Sequence, residues 1–162
     1  MDQINRRHFL RLTTAGALAL GVGLRARAEA APAALPTSAT ERTLGKTGLK
    51  TTFLGMGTGT RGGSDQKKMG REGYVACLEH TYAEGLRYFD LADAYGSHEY
   101  MNAALKNGIP RDKVMLLSKT RSRTPEKVTE DVDCFLKELD TDYLDIVLLH
   151  CLTEPDWTDR YK

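Results

Sequence analysis

"KVMLLSKTRSRTPEKVTEDVDCFLKELDTDYLDIVLLH", residues 113–150, reads as strand, helix, strand. Residues 113–119 are an apolar run of strand length. Residues 142–150 are another, and their core, Ile146 to Leu149, is continuously apolar, as expected of a strand covered on both faces. Between them Thr124 is placed to cap a helix, with Pro125 at its first position, where the missing N–H costs nothing. Val128, Val132, Phe135, Leu136 and Leu139 recur at helical spacing as its apolar stripe. Two strands joined through a helix of this length run parallel, because a crossover rather than a tight turn connects them.

The same alternation extends upstream. LRYFD (86–90) has strand character. Tyr74, Cys77, Leu78, Thr81 and Tyr82 form one face of a helix over 72–85, closed by Gly85. Ser97 is expected to cap a further helix whose inner face is Tyr100, Met101, Ala104 and Leu105. Asn107-Gly108 ends it, and Pro110 prevents its resumption. TTFLGMGTGT (51–60) reads as a short strand dissolving into glycines. It follows a hairpin over 41–50, turned at Gly45 and Gly48, and precedes a loop over 61–70. Strands alternating with amphipathic helices specify an α/β fold with a parallel sheet and right-handed crossovers. Each strand ends in something polar: Gly57-Thr58, Asp90, Lys119 and His150. Parallel topology brings those ends to one face, where ligands bind in such folds. Tyr95, on the loop after Asp90, overhangs the same rim.

An Asp, a Tyr, a Lys and a His at one rim suit proton transfer. A phenol holds its proton at neutral pH and can donate it. An ammonium beside it stabilises the phenolate, and a carboxylate keeps the ammonium charged and fixed. An imidazole N–H can hold the oxygen that receives the proton. Protonating a carbonyl oxygen needs a hydride for the carbon, which no side chain supplies, so a cofactor must.

The bulk properties exclude other classes. The 162 residues suit one ordinary domain, and a formal net charge of +1 demands neither nucleic acid nor a membrane surface. Three cysteines, Cys77, Cys134 and Cys151, are few and far apart, which argues against a disulfide framework or a metal cluster; they are expected buried or half-buried. His80 and His98 are expected as exposed helix residues.

The first thirty residues are not read as fold. Arg6 and Arg7 are followed by Phe9 and Leu10, then by TTAGALALGVGL (13–24). That apolar run is shorter than the roughly 20 residues of a membrane span. RARAEA follows, with cleavage expected after Ala28 or Ala30. The order of arginine pair, apolar run and small residues resembles a twin-arginine export signal, implying the translocase as a partner and a periplasmic destination. Residues 31–41, rich in Pro, Ala, Ser and Thr, read as a linker to a domain over 42–162.

FDLADAYG (89–96) resembles the strand-two signature of the aldo-keto reductase superfamily. Ser118-Lys119 and Leu148-Leu149-His150 resemble two further stretches of its catalytic tetrad. LGKTGLK resembles its base hairpin and LGMGTGT its first strand. Leu91 departs from the pattern, where the family usually has Thr. The resemblance implies a (β/α)8 barrel and NADP(H)-dependent reduction of a small-molecule carbonyl, or the reverse. It implies Tyr95 as general acid, made a better acid by Lys119, with Asp90 orienting Lys119 and His150 positioning the substrate. It implies that Gly57, Thr58 and Asp90 touch the nicotinamide end of the cofactor. CLTEPDW (151–157) gives one edge of the substrate pocket, with Trp157 either an apolar wall there or simple packing. The sequence holds four strands and three helices, about half a barrel. That implies a fragment, a truncated gene product lacking the cofactor half and acting at most as a binding or assembly module, or half-barrels that self-associate through open sheet edges. An iron–sulfur segment of some exported relatives would lie beyond this sequence.

Overall fold

The structure, a computed structural model, describes residues 35–160. The expected signal, with Arg6 and Arg7, lies outside the described residues. Strands β1 (Glu41–Thr43) and β2 (Lys50–Thr52) pair antiparallel as the hairpin, with Arg42 opposite Thr51. The linker expected through residue 41 gives way earlier, because Thr40 and Ser38 accept backbone hydrogen bonds from Phe53 and Leu54. The segment 51–60 is not one strand. Its start belongs to the hairpin, and only Met56–Gly57 (β3) enters the main sheet.

That sheet has four parallel strands in sequence order: β3, β4 (Tyr88–Asp90), β5 (Met115–Thr120) and β6 (Ile146–Leu149). Gly57 pairs with Asp90, Asp90 with Leu117, and Lys119 with Leu148. This register sets the polar strand ends side by side. The helices are α1 (Ser64–Lys67), α2 (Gly70–Ala83), α3 (His98–Lys106), α4 (Pro125–Leu139) and α5 (Trp157–Arg160). The short α1 falls where a loop was expected.

One core joins the sheet to α2, α3 and α4. Tyr74, Leu78, Phe89, Leu91, Met101, Leu116 and Leu139 are all essentially inaccessible within it. Each large apolar side chain so buried contributes roughly 1.5–3 kcal/mol. On α2 the inward face includes Val75, which the spacing did not select. Gly85 closes that helix at φ +90°, a conformation open to glycine. On α4 Thr124 caps as expected, its hydroxyl accepting from Lys127 N at 3.4 Å.

Four further expectations fail. Ser97 does not cap α3, because its backbone is already helical and its Oγ lies 3.0 Å from the Thr58 hydroxyl. His98 is buried, at 3 % exposure, because it points from α3 onto β5 rather than outward. Strand β6 is not covered on both faces. Val147 and Leu148 are 37 % and 44 % exposed, since β6 has a sheet neighbour only at β5 among the described residues. Cys134 and Cys151 are exposed, because they stand on the outer face of α4 and just past β6; Cys77 is half-buried as expected. His80 is exposed as expected.

Candidate active site

Alternation along β5 builds the site. Successive side chains of a strand point to opposite faces. Ser118 therefore turns toward the helices while Lys119 turns toward the neighbouring strand end, where its ammonium pairs with the Asp90 carboxylate. Lys119 Nζ also donates to the Leu91 carbonyl at 2.9 Å. With only 12 % of its side chain exposed, Lys119 is held from two sides. Leu91 supplies this contact through its backbone. Its side chain is fully buried, and its N–H donates to Leu117 O at 2.8 Å.

After β4 the chain makes a single 3-10 turn, Asp93–Tyr95, ended by Gly96 in the left-handed region. That turn tips Tyr95 back over the rim. Lys119 Nζ lies 5.0 Å from the Tyr95 ring centroid. Tyr95 Oη lies 3.3 Å from His150 Nε2, and the two rings meet edge to face. His150 is held by its backbone: its N–H donates to Thr120 O at 2.7 Å, and its carbonyl accepts from Arg123 Nη2 at 2.5 Å. The structure thus brings Asp90, Tyr95, Lys119 and His150 into one cluster.

Glycines shape the floor. A Cβ at Gly59 would stand 2.6 Å from Cε2 and 2.8 Å from Cε1 of Tyr95, so the ring lies directly on the Gly59 backbone. Gly57, paired with Asp90, has open space where a Cβ would project. Thr58 is fully buried; its N–H and hydroxyl both reach the Asp90 carbonyl, at 3.1 and 2.8 Å. Trp157 stands 43 % exposed on α5.

Three residues of this region were not singled out for the site by the sequence reading. Asp93 accepts from Ala94 N at 2.5 Å and lies 3.8 Å from His150 Nδ1. Gly59 is one of several glycines in its stretch. His98 lies behind the rim, its Nε2 2.9 Å from Ser118 Oγ and its Nδ1 2.6 Å from Glu138 Oε2. Its spacing, three residues before Met101 and seven before Leu105, is the signal that could have placed it inward. Beneath the rim, burial pushes the Tyr74 phenol up to about 12. Tyr88 is raised as well, by burial first and by the Asp90 charge second.

A parallel α/β sheet with an Asp, a Tyr, a Lys and a His gathered at its strand ends defines the class: an α/β fold with a polar cluster on the face where such folds bind ligands. The chain belongs to the aldo/keto reductase family, whose model matches residues 53–158. It is 32 % identical over 121 residues to the aldo-keto reductase YhdN of Bacillus subtilis, covering 64 % of this chain and 35 % of that one. It is 31 % identical over 123 residues to the aldehyde reductase YPR1 of Saccharomyces cerevisiae, covering 74 % and 36 %. A Schizosaccharomyces pombe NAD/NADP-dependent indole-3-acetaldehyde reductase is 35 % identical over 77 residues, covering 47 % of this chain and 27 % of that one. Among solved structures, the thermostable aldo-keto reductase Tm1743 superposes with a TM-score of 0.59 at 28 % identity, covering 72 % of this chain and 44 % of that one. An aldo/keto reductase from Brucella melitensis gives 0.56 at 25 %, with the same coverage. The chain therefore spans about a third of the length of these curated relatives.

Proposed function

We propose that this chain carries the proton-transfer half of an NADP(H)-dependent aldo-keto reductase site, interconverting a small-molecule carbonyl and its alcohol. The observation that carries this reading is the placement of Tyr95 Oη 3.3 Å from His150 Nε2, with the Asp90-paired Lys119 5.0 Å from the Tyr95 ring. A carbonyl oxygen entering that rim meets both Tyr95 and His150. Tyr95 donates its proton to the oxygen, and Lys119 offsets the phenolate charge left behind. Asp90 holds Lys119 in place, and the Thr58 contacts to the Asp90 carbonyl hold the end of β4.

The residues present fit the nicotinamide end of NADP(H). Gly57 leaves open space beside Asp90, whose side chain is one-third exposed. Asp90 and the Gly57 backbone would hold the ribose there, and Thr58 would act from below, its hydroxyl already engaged. When bound, the cofactor supplies the hydride. The S. pombe relative, an NAD/NADP-dependent indole-3-acetaldehyde reductase, and the S. cerevisiae relative, an aldehyde reductase, support the same chemistry. The four-stranded sheet is taken as the first half of a (β/α)8 barrel. The exposure of Val147 and Leu148 supports this, since a fifth strand beside β6 would cover them. Trp157 is assigned to the pocket edge, and Arg6 with Arg7 to export through the twin-arginine route.

Tyr95→Phe tests the assignment. Turnover of a carbonyl substrate should fall by about 10²–10⁴-fold, the range for a lost general acid, while NADPH binding by nicotinamide fluorescence persists. Undiminished turnover refutes the role of Tyr95. Export is tested by Arg6→Lys with Arg7→Lys, which should leave the protein in the cytoplasm; normal export of that variant overturns the signal.

A further inference from the structure

Ser97 and His98 are consecutive at the start of α3, yet they reach different strands. Each contact ends beside one partner of the Asp90–Lys119 pair. On one side the Thr58 hydroxyl donates to the Asp90 carbonyl at 2.8 Å and lies 3.0 Å from Ser97 Oγ, so Ser97 is tied to the backbone of Asp90. On the other side His98 Nε2 lies 2.9 Å from Ser118 Oγ, on the residue that precedes Lys119. A carboxylate only accepts, so Nδ1 carries its proton toward Glu138 Oε2, 2.6 Å away, and the ring is turned with Nε2 on the strand. Phe135 packs on that ring, their centroids 4.9 Å apart. Asn102, one turn further along α3, donates to the Glu138 carbonyl at 2.7 Å and ties α4 to the same place. Ser97, His98, Thr58 and Ser118 are all buried, so these bonds do not compete with water. Carboxylate, imidazole and hydroxyl stand in the order of a hydrolytic triad, but Ser118 is fully buried and no substrate reaches it. The network holds backbone instead.

We propose that Ser97 and His98 are positioning residues: the start of α3 grips Asp90 through Thr58 and Lys119 through Ser118, and so fixes the ion pair against Tyr95. Tyr95 ends the 3-10 turn two residues before Ser97, so residues 95–98 carry the phenol and both anchors. Ser118 and Lys119 share a peptide unit and point to opposite faces of β5. A bond that stops Ser118 from shifting therefore also stops the base of the Lys119 side chain, whose ammonium is held by Asp90 and the Leu91 carbonyl. Glu138 acts one step further back, by setting the orientation of the His98 ring. What the clamp serves, the acidity of Tyr95, rests on the reductase reading above. That it holds Lys119 is tested without turnover.

In the 162-residue chain labelled with 15N, the readout is the exchange of the Lys119 ammonium protons with water, and Lys119→Arg assigns the signal. Two variants at His98 separate positioning from plain stability. In His98→Gln the amide stands near the place of Nε2 and keeps the bond to Ser118. In His98→Asn it stands near the place of Nδ1, keeps Glu138 and leaves Ser118 unpaired. His98→Asn should speed Lys119 exchange about tenfold, the scale of one hydrogen bond lost, while His98→Gln stays within about twofold of the unsubstituted chain. Ser118→Ala, which removes one oxygen and serves should His98→Asn fail to fold, should match His98→Asn. Ser97→Ala should speed the exchange as well, from the Asp90 side. A purely structural role would lower the urea midpoint of these variants and leave the Lys119 exchange unmoved. Unmoved exchange in folded Ser118→Ala or Ser97→Ala, or equal exchange in His98→Asn and His98→Gln, would each overturn the proposal. Failure of the reductase reading appears separately, as turnover undiminished in Tyr95→Phe.

Discussion

Gly59→Ala probes how closely the rim is built around Tyr95. The added methyl would lie 2.6 Å from Cε2 and 2.8 Å from Cε1 of the ring, and closer still to Cζ. Carbon atoms settle at about 3.5–4.0 Å, so the ring must retreat by roughly 1 Å. It cannot do so freely, because the backbone beneath it is also confined: a Cβ at Gly63 would meet the Tyr95 carbonyl. Overpacking of this kind costs about 1–3 kcal/mol of stability. A displacement of about 1 Å at a reacting group costs on the order of 10²-fold in rate. The expected result is therefore a roughly hundredfold fall in kcat for carbonyl reduction, followed by NADPH consumption. NADPH affinity should change little, because Gly57 and Asp90 are untouched. The urea midpoint should fall modestly. Full kcat together with an unshifted urea midpoint would refute the reasoning, since the methyl would then have found room that the geometry denies it.

Two further outcomes follow from the interior. His98→Leu strips the ring partner from Ser118 Oγ, which is fully buried, and from Glu138; it should cost about 1–3 kcal/mol, lowering the urea midpoint by about 1 M, and adding Ser118→Ala should recover part of the loss. An unchanged midpoint would show that the network contributes nothing. The Tyr74 phenol, raised from 10.0 to about 12, stays protonated in the folded chain at pH values where the unfolded chain has ionised, so stability is intact below pH 10 and falls as pH rises toward 12. Tyr74→Phe should flatten that alkaline limb in equilibrium urea titrations, and an equally steep limb in the variant would assign it to other groups.

Elements with strong local signals were legible. The helix start at Thr124-Pro125 appears where its capping pattern puts it, and the strand expected over 113–119 appears as Met115–Thr120, its first residues taken by a 3-10 turn over Arg111–Lys113. Strand β6 was legible as a strand, yet not in its surroundings. A continuous apolar run reads the same whether both faces are covered or left open, and Val147 and Leu148 are exposed. His98 was misplaced because its chain neighbours, Ser97 and Glu99, are polar, whereas its true neighbours are Ser118 on β5 and Glu138 on α4. Asp93 was invisible for the same reason. It lies inside FDLADAYG, but the reading of that stretch rested on Asp90 and Tyr95, and the relation of Asp93 to His150 spans more than fifty residues.

The alternation of the four sheet strands with the three long helices, the polar strand ends and the signature shared with the aldo/keto reductases were readable from the sequence alone, because these depend on local periodicity and on residue type; the short helices α1 and α5 were not. Only the tertiary structure decided that Tyr95 rests on Gly59, that Lys119 is held by both Asp90 and the Leu91 carbonyl, and that one nitrogen of His150 faces a phenol while the other faces a carboxylate. Those facts depend on the register between strands and on a single 3-10 turn. Both are set by packing between segments far apart in the chain, which no local pattern encodes.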